Sequence, residues 1–191
     1  MGHTADRARL IAGRWAALRI TLLAVAPPEI TFVRLTEVDL DAVTALLNEP
    51  RNARHLPLAS GEAFTAETAA DWVAAKNRQW TEHGFGPWAV LLDGEFAGWG
   101  GFQAEDNGAD FALVLRPQFW WHGEAVTRLA LEHGFRELGI EEVLIALPYS
   151  RRPDRVVARY GFVPDGDVEY GGVRFRQYRL TRSTWSAGSH P

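Results

Sequence analysis

Three apolar runs separated by two short turns, between residues 87 and 115, constrain the fold more than any other feature of the chain. The runs 87–92 and 95–103 flank Asp93-Gly94, a dipeptide typical of two-residue hairpins. The polar residues 105–108 then lead into a third run, 109–115. We therefore predict a three-stranded antiparallel meander in the middle of the chain.

The segment that follows the meander predicts a parallel connection. A helix predicted over 123–138 ends at Gly139, and the apolar run 143–148 that follows lacks alternation, which is typical of a strand buried on both faces. The remaining predicted elements are a strand at 30–35, helices at 39–47, 66–82 and 154–160, and a final strand at 173–180. A strand, a helix and a strand in succession imply a parallel crossover. We predict an α+β fold, a single domain with a central mixed, mostly antiparallel sheet flanked by helices.

The two ends of the chain differ from this body, so we divide it into an N-terminal extension (1–28), a domain (29–182) and a flexible tail (183–191). Residues 1–26 hold four arginines against one aspartate, and their apolar residues recur at helical spacing: Leu10, Ile11, Trp15, Leu18 and Leu22. A secretory signal is disfavoured, because the apolar run is short and Pro27-Pro28 follow it. The stripe predicts a helix that docks on the domain or on a second copy, and we predict a homodimer.

Composition excludes several classes of protein. A content of 47% hydrophobic and 23% charged residues in 191 is typical of a globular domain and not of a disordered chain. The absence of cysteine excludes disulfides, thiolate metal sites and a cysteine nucleophile, and the six histidines show no metal-ligand spacing, so no metal is expected. A net charge of −4 and the lack of a membrane-length apolar run argue against nucleic-acid and membrane partners. A cytoplasmic location fits these features.

The sequence LRPQFWWHGEAVTRLALEHGF joins the third meander strand to the long helix. The first turn of a helix carries backbone N–H groups without intrahelical partners, and such a helix start binds anions readily. We therefore predict an anion site at this strand-to-helix junction.

This junction, together with WAVLLDGEFAGWGGF, GFRELGIEEVLI and RYGF, makes residues 85–180 resemble the GNAT superfamily of acyl-CoA-dependent N-acetyltransferases. The resemblance is greatest to its ribosomal-protein N-terminal acetyltransferase-like subgroup. It implies acetyl-CoA as acyl donor and an amine as acceptor, either a small molecule or a protein N-terminus. The loop that cradles the coenzyme A pyrophosphate in the family corresponds here to Gln118, Trp120, Trp121, His122, Gly123, Glu124 and Ala125.

Other roles implied by the resemblance fall on particular residues. Main-chain N–H groups of Val114 and Leu115 would meet the acetyl carbonyl oxygen, and Asp110 would be the general base, unless it is only a solvated residue beside the turn. Position alone, and not the resemblance, makes Tyr149 or Ser150 a candidate to protonate the departing thiolate, because both lie at the end of the penultimate strand, where such sheets place ligand contacts. Arg155, in a group with three further arginines, would meet phosphate or form a solvated face.

The sequence departs from the family pattern at three places. Trp121 stands where the phosphate loop has its first glycine, Ser150 and Pro153 replace an asparagine and a serine, and Val157 replaces the tyrosine that serves many members as general acid. Two functions from different classes are consistent with these changes. The first is an acetyl-CoA-dependent N-acetyltransferase, and the alternative is a catalytically impaired GNAT-fold module that acts through coenzyme A or protein binding.

Overall fold

The structure is a computed structural model that describes residues 26–53, 62–150 and 154–188. The strands are β1 (Ile30–Arg34), β2 (Pro87–Leu92), β3 (Glu95–Glu105), β4 (Gly108–Leu115), β5 (Glu142–Pro148), β6 (Val163–Tyr170) and β7 (Val173–Thr181). The α-helices are α1 (Leu40–Leu47), α2 (Pro50–Ala53), α3 (Ala66–His83), α4 (Gly123–Arg136), α5 (Asp154–Arg159) and α6 (Arg182–Gly188). Within the described ranges, 3₁₀ helices cover Leu35–Glu37 and Pro117–His122. The amphipathic stripe of the extension lies outside the described residues, so its docking and the homodimer stay predictions.

The seven strands form one sheet in the order β1-β2-β3-β4-β5-β7-β6. All neighbouring pairs are antiparallel except β4 and β5, which are parallel and joined through α4. This arrangement confirms the predicted meander, the predicted parallel crossover and the α+β fold.

Local sequence accounts for the element boundaries around the meander. Asp93 (φ 50°) and Gly94 (φ 80°) both adopt the left-handed conformation that a two-residue hairpin turn requires. Thr65 caps α3 by accepting a hydrogen bond from the Thr68 N–H, and Gly84 ends that helix with a φ of 76°.

Both faces of the sheet are covered. One face packs on α4, where Phe102 of β3 lies so close to Gly134 that an added Cβ would stand 2.3 Å from its ring. The opposite face packs on α1 and α3 through Val43, Val73 and Trp99.

Two parts of the C-terminal region differ from the predictions. The strand β6 is not among the predicted strands; Pro164 and Gly166 interrupt its pattern, and its register with β7 shifts between Pro164 and Asp167. The expectation of a flexible tail from Ser183 is wrong for residues 183–188, which belong to α6. Trp185 of this helix is buried in the core and its Nε1 donates to Glu132 Oε2 at 2.7 Å.

No helix within the described ranges is long and apolar enough to cross a membrane. In the same ranges no group of three or more His, Asp or Glu side chains is arranged to hold a metal ion.

Candidate active site

The strands β4 and β5 diverge soon after they meet. They pair only through Ala109 with Val143 and Asp110 with Leu144, although β4 continues to Leu115 and β5 to Pro148. Beyond Asp110, β4 remains paired with β3 on its other side. The divergence therefore opens a wedge in the sheet, and one edge of β4 lines it.

The ladder between β3 and β4 decides which N–H groups point into this wedge. The Arg116 N–H donates to the Ala97 carbonyl at 2.7 Å, and Leu115 and Val114 stand opposite Gly98 and Trp99. Because hydrogen-bonded pairs alternate along an antiparallel ladder, the Val114 N–H is directed to β3 and the Leu115 N–H to the wedge. The prediction of Val114 as an oxyanion donor is therefore corrected: Leu113, two residues before Leu115, has its N–H on the open side.

The chain passes from β4 to α4 through a 3₁₀ helix that contains the tryptophans of the predicted phosphate loop. Trp120 is half-exposed, and its Nε1 donates to the Leu115 carbonyl at 3.0 Å. Asn52 Nδ2 donates to the same carbonyl at 3.1 Å. Among the described residues Asp93 is the sole non-glycine with a positive φ. Trp121, which we expect at the glycine position of the predicted phosphate loop, therefore has no left-handed backbone, because the loop has a helical path here.

The first turn of α4 has the open surroundings that an anion site requires. His122 precedes it and makes no capping hydrogen bond with its side chain. An added Cβ at Gly123 would meet only Leu115 Cδ1, at 3.8 Å, so the packing of the described residues does not require glycine there. The Glu124 carboxylate lies 3.7 Å from both Arg128 and Arg159. The loop residues Gln118, Trp120, Trp121, Glu124 and Ala125 are all exposed.

Asp110 lies at the point where β4 and β5 part. Its Oδ1 is buried and has no hydrogen-bond partner, one of two such side-chain atoms in the part of the chain that the structure describes. The other is Nε1 of Trp99, on the sheet face covered by α1 and α3. Burial first, and then the Glu105 charge, raise the pKa of Asp110 to about 7, against the opposite effects of the Ala146 N–H and of Lys76. A carboxyl with a pKa near neutrality can accept a proton and release it again at physiological pH.

The predicted proton donors at the end of β5 lie in a different environment. Tyr149 is 48% exposed, and its hydroxyl donates to Asp167 Oδ1 on β6 at 2.6 Å. The guanidinium of Arg176 covers its ring at 4.5 Å. The hydrogen bond to Asp167 raises the pKa of Tyr149, so the phenol holds its proton more tightly than a free tyrosine. Ser150 follows in an exposed turn. Arg155 belongs to α5, and its side chain lies outside the described residues.

Sequence reasoning missed three residues of this region. Lys76 projects from α3 to Gln103 of β3 and carries a charge near Asp110; its position in the apolar stripe of α3 was the available signal. Asn52 reaches Leu115 across 63 residues of sequence, a contact that no local pattern indicates. Leu113 contributes its backbone, about which the side chain carries no information.

The chain is similar to known acetyltransferases in its sequence and in its fold. A model of the acetyltransferase (GNAT) domain matches residues 29–163. A GnaT-family acetyltransferase from Bordetella pertussis, named as putative, is 20% identical with a TM-score of 0.65, over 83% of this chain and 98% of that one. An acetyltransferase from Agrobacterium tumefaciens is 17% identical with a TM-score of 0.64, over 85% and 98% of the two chains. An aminoglycoside acetyltransferase in complex with coenzyme A is 18% identical with a TM-score of 0.64, over 85% and 100%.

The family model covers well over half of the chain, and the chain therefore belongs to the acetyltransferase (GNAT) domain family. Membership supports acetyl transfer in general as its activity. The structural neighbours share the fold.

Proposed function

We propose that the protein transfers an acetyl group from acetyl-CoA to a primary amine, by direct attack of the amine and with Asp110 as general base. The observation that carries the proposal is the place of Asp110. Its carboxyl, whose Oδ1 is buried without a partner and whose pKa is raised to about 7, lies where β4 and β5 separate.

Acetyl-CoA fits the residues that surround this wedge. The open first turn of α4 offers N–H groups to the pyrophosphate, and the absence of a Cβ at Gly123 leaves room for it. The wedge-facing N–H groups of Leu113 and Leu115 suit the carbonyl oxygen of the acetyl group. Arg155 on the neighbouring α5 is proposed as a further phosphate contact.

The acyl donor supplies an activated acetyl group: the C–N bond forms with the amine, the C–S bond breaks, and coenzyme A leaves as a thiolate. Asp110 accepts the proton that the amine loses, directly or through a water. Tyr149 and Ser150, at the end of β5, are the proposed proton donors to the thiolate. The acceptor is a small-molecule amine or a protein N-terminus, and the second choice would place the chain in the ribosomal-protein N-terminal acetyltransferase-like subgroup.

A non-catalytic module that binds coenzyme A weakly is the second candidate, and Glu124 favours it. Its carboxylate lies in the first turn of α4, where it neutralises the helix end that should attract phosphate, and it engages Arg128 and Arg159. A module of this kind would act through protein contacts.

Calorimetry with acetyl-CoA, followed by an acceptor screen that monitors free thiol, separates the two candidates. The enzyme should bind acetyl-CoA and release thiol with at least one amine, at a rate that Asp110→Asn lowers. Binding without thiol release from any small amine or peptide N-terminus would favour the module. Absence of binding would reject the assignment of the acyl donor.

A further inference from the structure

We infer that the Lys76 ammonium, fixed on β3 by Gln103, is a positioning residue that acts through Asp110 and sets the pH range in which this carboxyl accepts a proton. The inference rests on the proposed function, because it assigns to Lys76 a role in the work of the base. Lys76 itself is not expected to touch either substrate.

The geometry brings Lys76 next to Asp110 through one intermediary. Lys76 Nζ donates a hydrogen bond to Gln103 Oε1, and Gln103 stands directly opposite Asp110 in the ladder between β3 and β4. The Cα atoms of directly opposite residues in an antiparallel ladder are about 5 Å apart. Gln103 is 8% exposed, and the hydrogen bond that holds the ammonium to its amide is partly buried.

The hydrogen bonds of Lys76 do not account for its charge. The side chain to which it donates is a neutral amide, and a partly buried ammonium is stabilised by an opposite charge nearby. Burial lowers the pKa of Lys76, while the charges of Glu105 and then Asp110 act against that effect. The charge of Lys76 is therefore compensated by two carboxyls, Glu105 and the candidate base Asp110.

The described groups that face Asp110 come from four elements. Lys76 faces it from α3, Glu105 and Gln103 from β3, the Ala146 N–H from β5 and Tyr170 from β6. Glu105 and Lys76 act in opposite directions: the first raises the pKa of Asp110 and the second lowers it. This opposition provides a matched pair of substitutions, because each one removes a neighbouring charge that acts on the Asp110 carboxyl.

The test compares Lys76→Met with Glu105→Gln in two measurements. The first is the dependence of kcat/KM on pH, and the second is the titration of the Asp110 carboxyl by carbon NMR, which needs no turnover. Lys76→Met should move the acidic limb and the NMR midpoint to higher pH by on the order of one unit, and Glu105→Gln should move both to lower pH. Lys76→Arg, which keeps the charge, should restore the midpoint of the unsubstituted protein.

Gln79→Leu is the control for the docking of α3. Gln79 lies on the same helix and accepts a hydrogen bond from the Ala104 N–H of β3 at 3.1 Å, without any charge. Loss of this hydrogen bond in Gln79→Leu should leave the midpoint of the Asp110 titration unchanged. A midpoint that moves as far in Gln79→Leu as in Lys76→Met would overturn the inference, since helix docking would then explain the shift.

The remaining outcomes also decide. The role of Lys76 is refuted if Lys76→Met and Glu105→Gln move the Asp110 midpoint in the same direction, or if neither of them moves it. Should Lys76→Met fail to fold, Lys76→Gln also removes the charge but keeps a polar group that can donate to Gln103, and its midpoint must likewise move to higher pH. If the NMR midpoint moves as expected but the kinetic limb does not, Lys76 controls Asp110 while the assignment of Asp110 as base fails.

Discussion

The start of α4 and the surroundings of Asp110 form the two sides of the proposed site, and they differ in burial. Trp121, in the loop before α4, is 90% exposed, and Gln118 and Trp120 of the same loop are exposed as well. Asp110 presents a buried oxygen that lacks a partner, with Lys76 and Gln103 close to it. Recognition through backbone N–H groups tolerates changes of side chain, whereas a buried carboxyl depends on the identity of each neighbour. Departures from the family pattern in the loop therefore carry less weight against activity than a change at Asp110 would.

The largest expected effect is on turnover, on the buried side of the site. Asp110→Asn should lower kcat by about 10²-fold or more and remove the acidic limb of the rate profile, because the amide cannot accept the proton of the amine. The dissociation constant of acetyl-CoA, measured by calorimetry, should change little. An Asn variant with full activity would show that another group is the base.

The same substitution should have the opposite effect on stability. Since the pKa of Asp110 is raised to about 7 from its ordinary 3.8, the native state binds a proton that the unfolded state releases between these values. The contribution of Asp110 to stability is thus fully present below pH 4 and is lost as the pH rises toward 7. We expect the free energy of unfolding of Asp110→Asn to exceed that of the unsubstituted protein at pH 8, by a difference on the order of a few kcal/mol.

Urea unfolding of both proteins at pH 8 and pH 4.5 measures this difference. The advantage of the Asn variant should shrink at the lower pH, where the carboxyl is protonated in the native state. An Asn variant that is less stable at pH 8 would mean that Asp110 is ionised and well solvated, which would remove the contrast between the two sides.

On the exposed side, the expected effects are on affinity. Gly123→Val should weaken acetyl-CoA binding by a few-fold, because a branched side chain at the first helical residue would stand where the backbone meets the pyrophosphate. Gly123→Ala is the matched control: its Cβ would have only an ordinary contact with Leu115, so the fold should be unaffected. Calorimetric titration with acetyl-CoA measures the affinity of the Val, Ala and unsubstituted proteins. If the three affinities are equal, the pyrophosphate binds elsewhere.

The smallest effect is expected at Trp121. With 90% of its surface exposed, the indole can turn away from a ligand, so Trp121→Gly should tighten acetyl-CoA binding by only about twofold, as for a surface substitution. Fluorescence of the unsubstituted and Gly variants during titration gives the two affinities. Markedly weaker binding by the Gly variant would instead assign the indole a stacking or packing role.

Elements defined by residues close together in the sequence could be predicted, and elements that depend on contacts between distant parts of the chain could not. Asp93-Gly94, the Thr65 cap and the stripe of α3 are local signals, and the structure confirms the elements that they predict. In β6, a proline and a left-handed glycine hide a strand that only pairing with β7 defines. For α6, one buried tryptophan in a short polar segment gives no periodicity.

The site shows the same limit. Asp110 was found because the family resemblance marks its position in the chain, and the loop before α4 was found because a strand there leads directly into a helix start. The direction of the Val114 N–H depends on strand register, which the side-chain pattern of a buried strand does not fix. Lys76 could be placed in the apolar stripe of α3, but its proximity to Asp110 arises from the packing of α3 on β3.

The position of β7 between β5 and β6 has a consequence for synthesis of the protein. The ribosome releases β6 before β7, so the nascent β6 has no strand to pair with, and the side of β5 that β7 will cover stays open. An unpaired apolar strand is a template for association with other chains. A premature stop within β7 would therefore cost the molecule two strands and α6 together, and would expose Val143 and Leu144 of β5 at a permanent sheet edge. Quality control in the cell should recognise such a shortened chain by that edge.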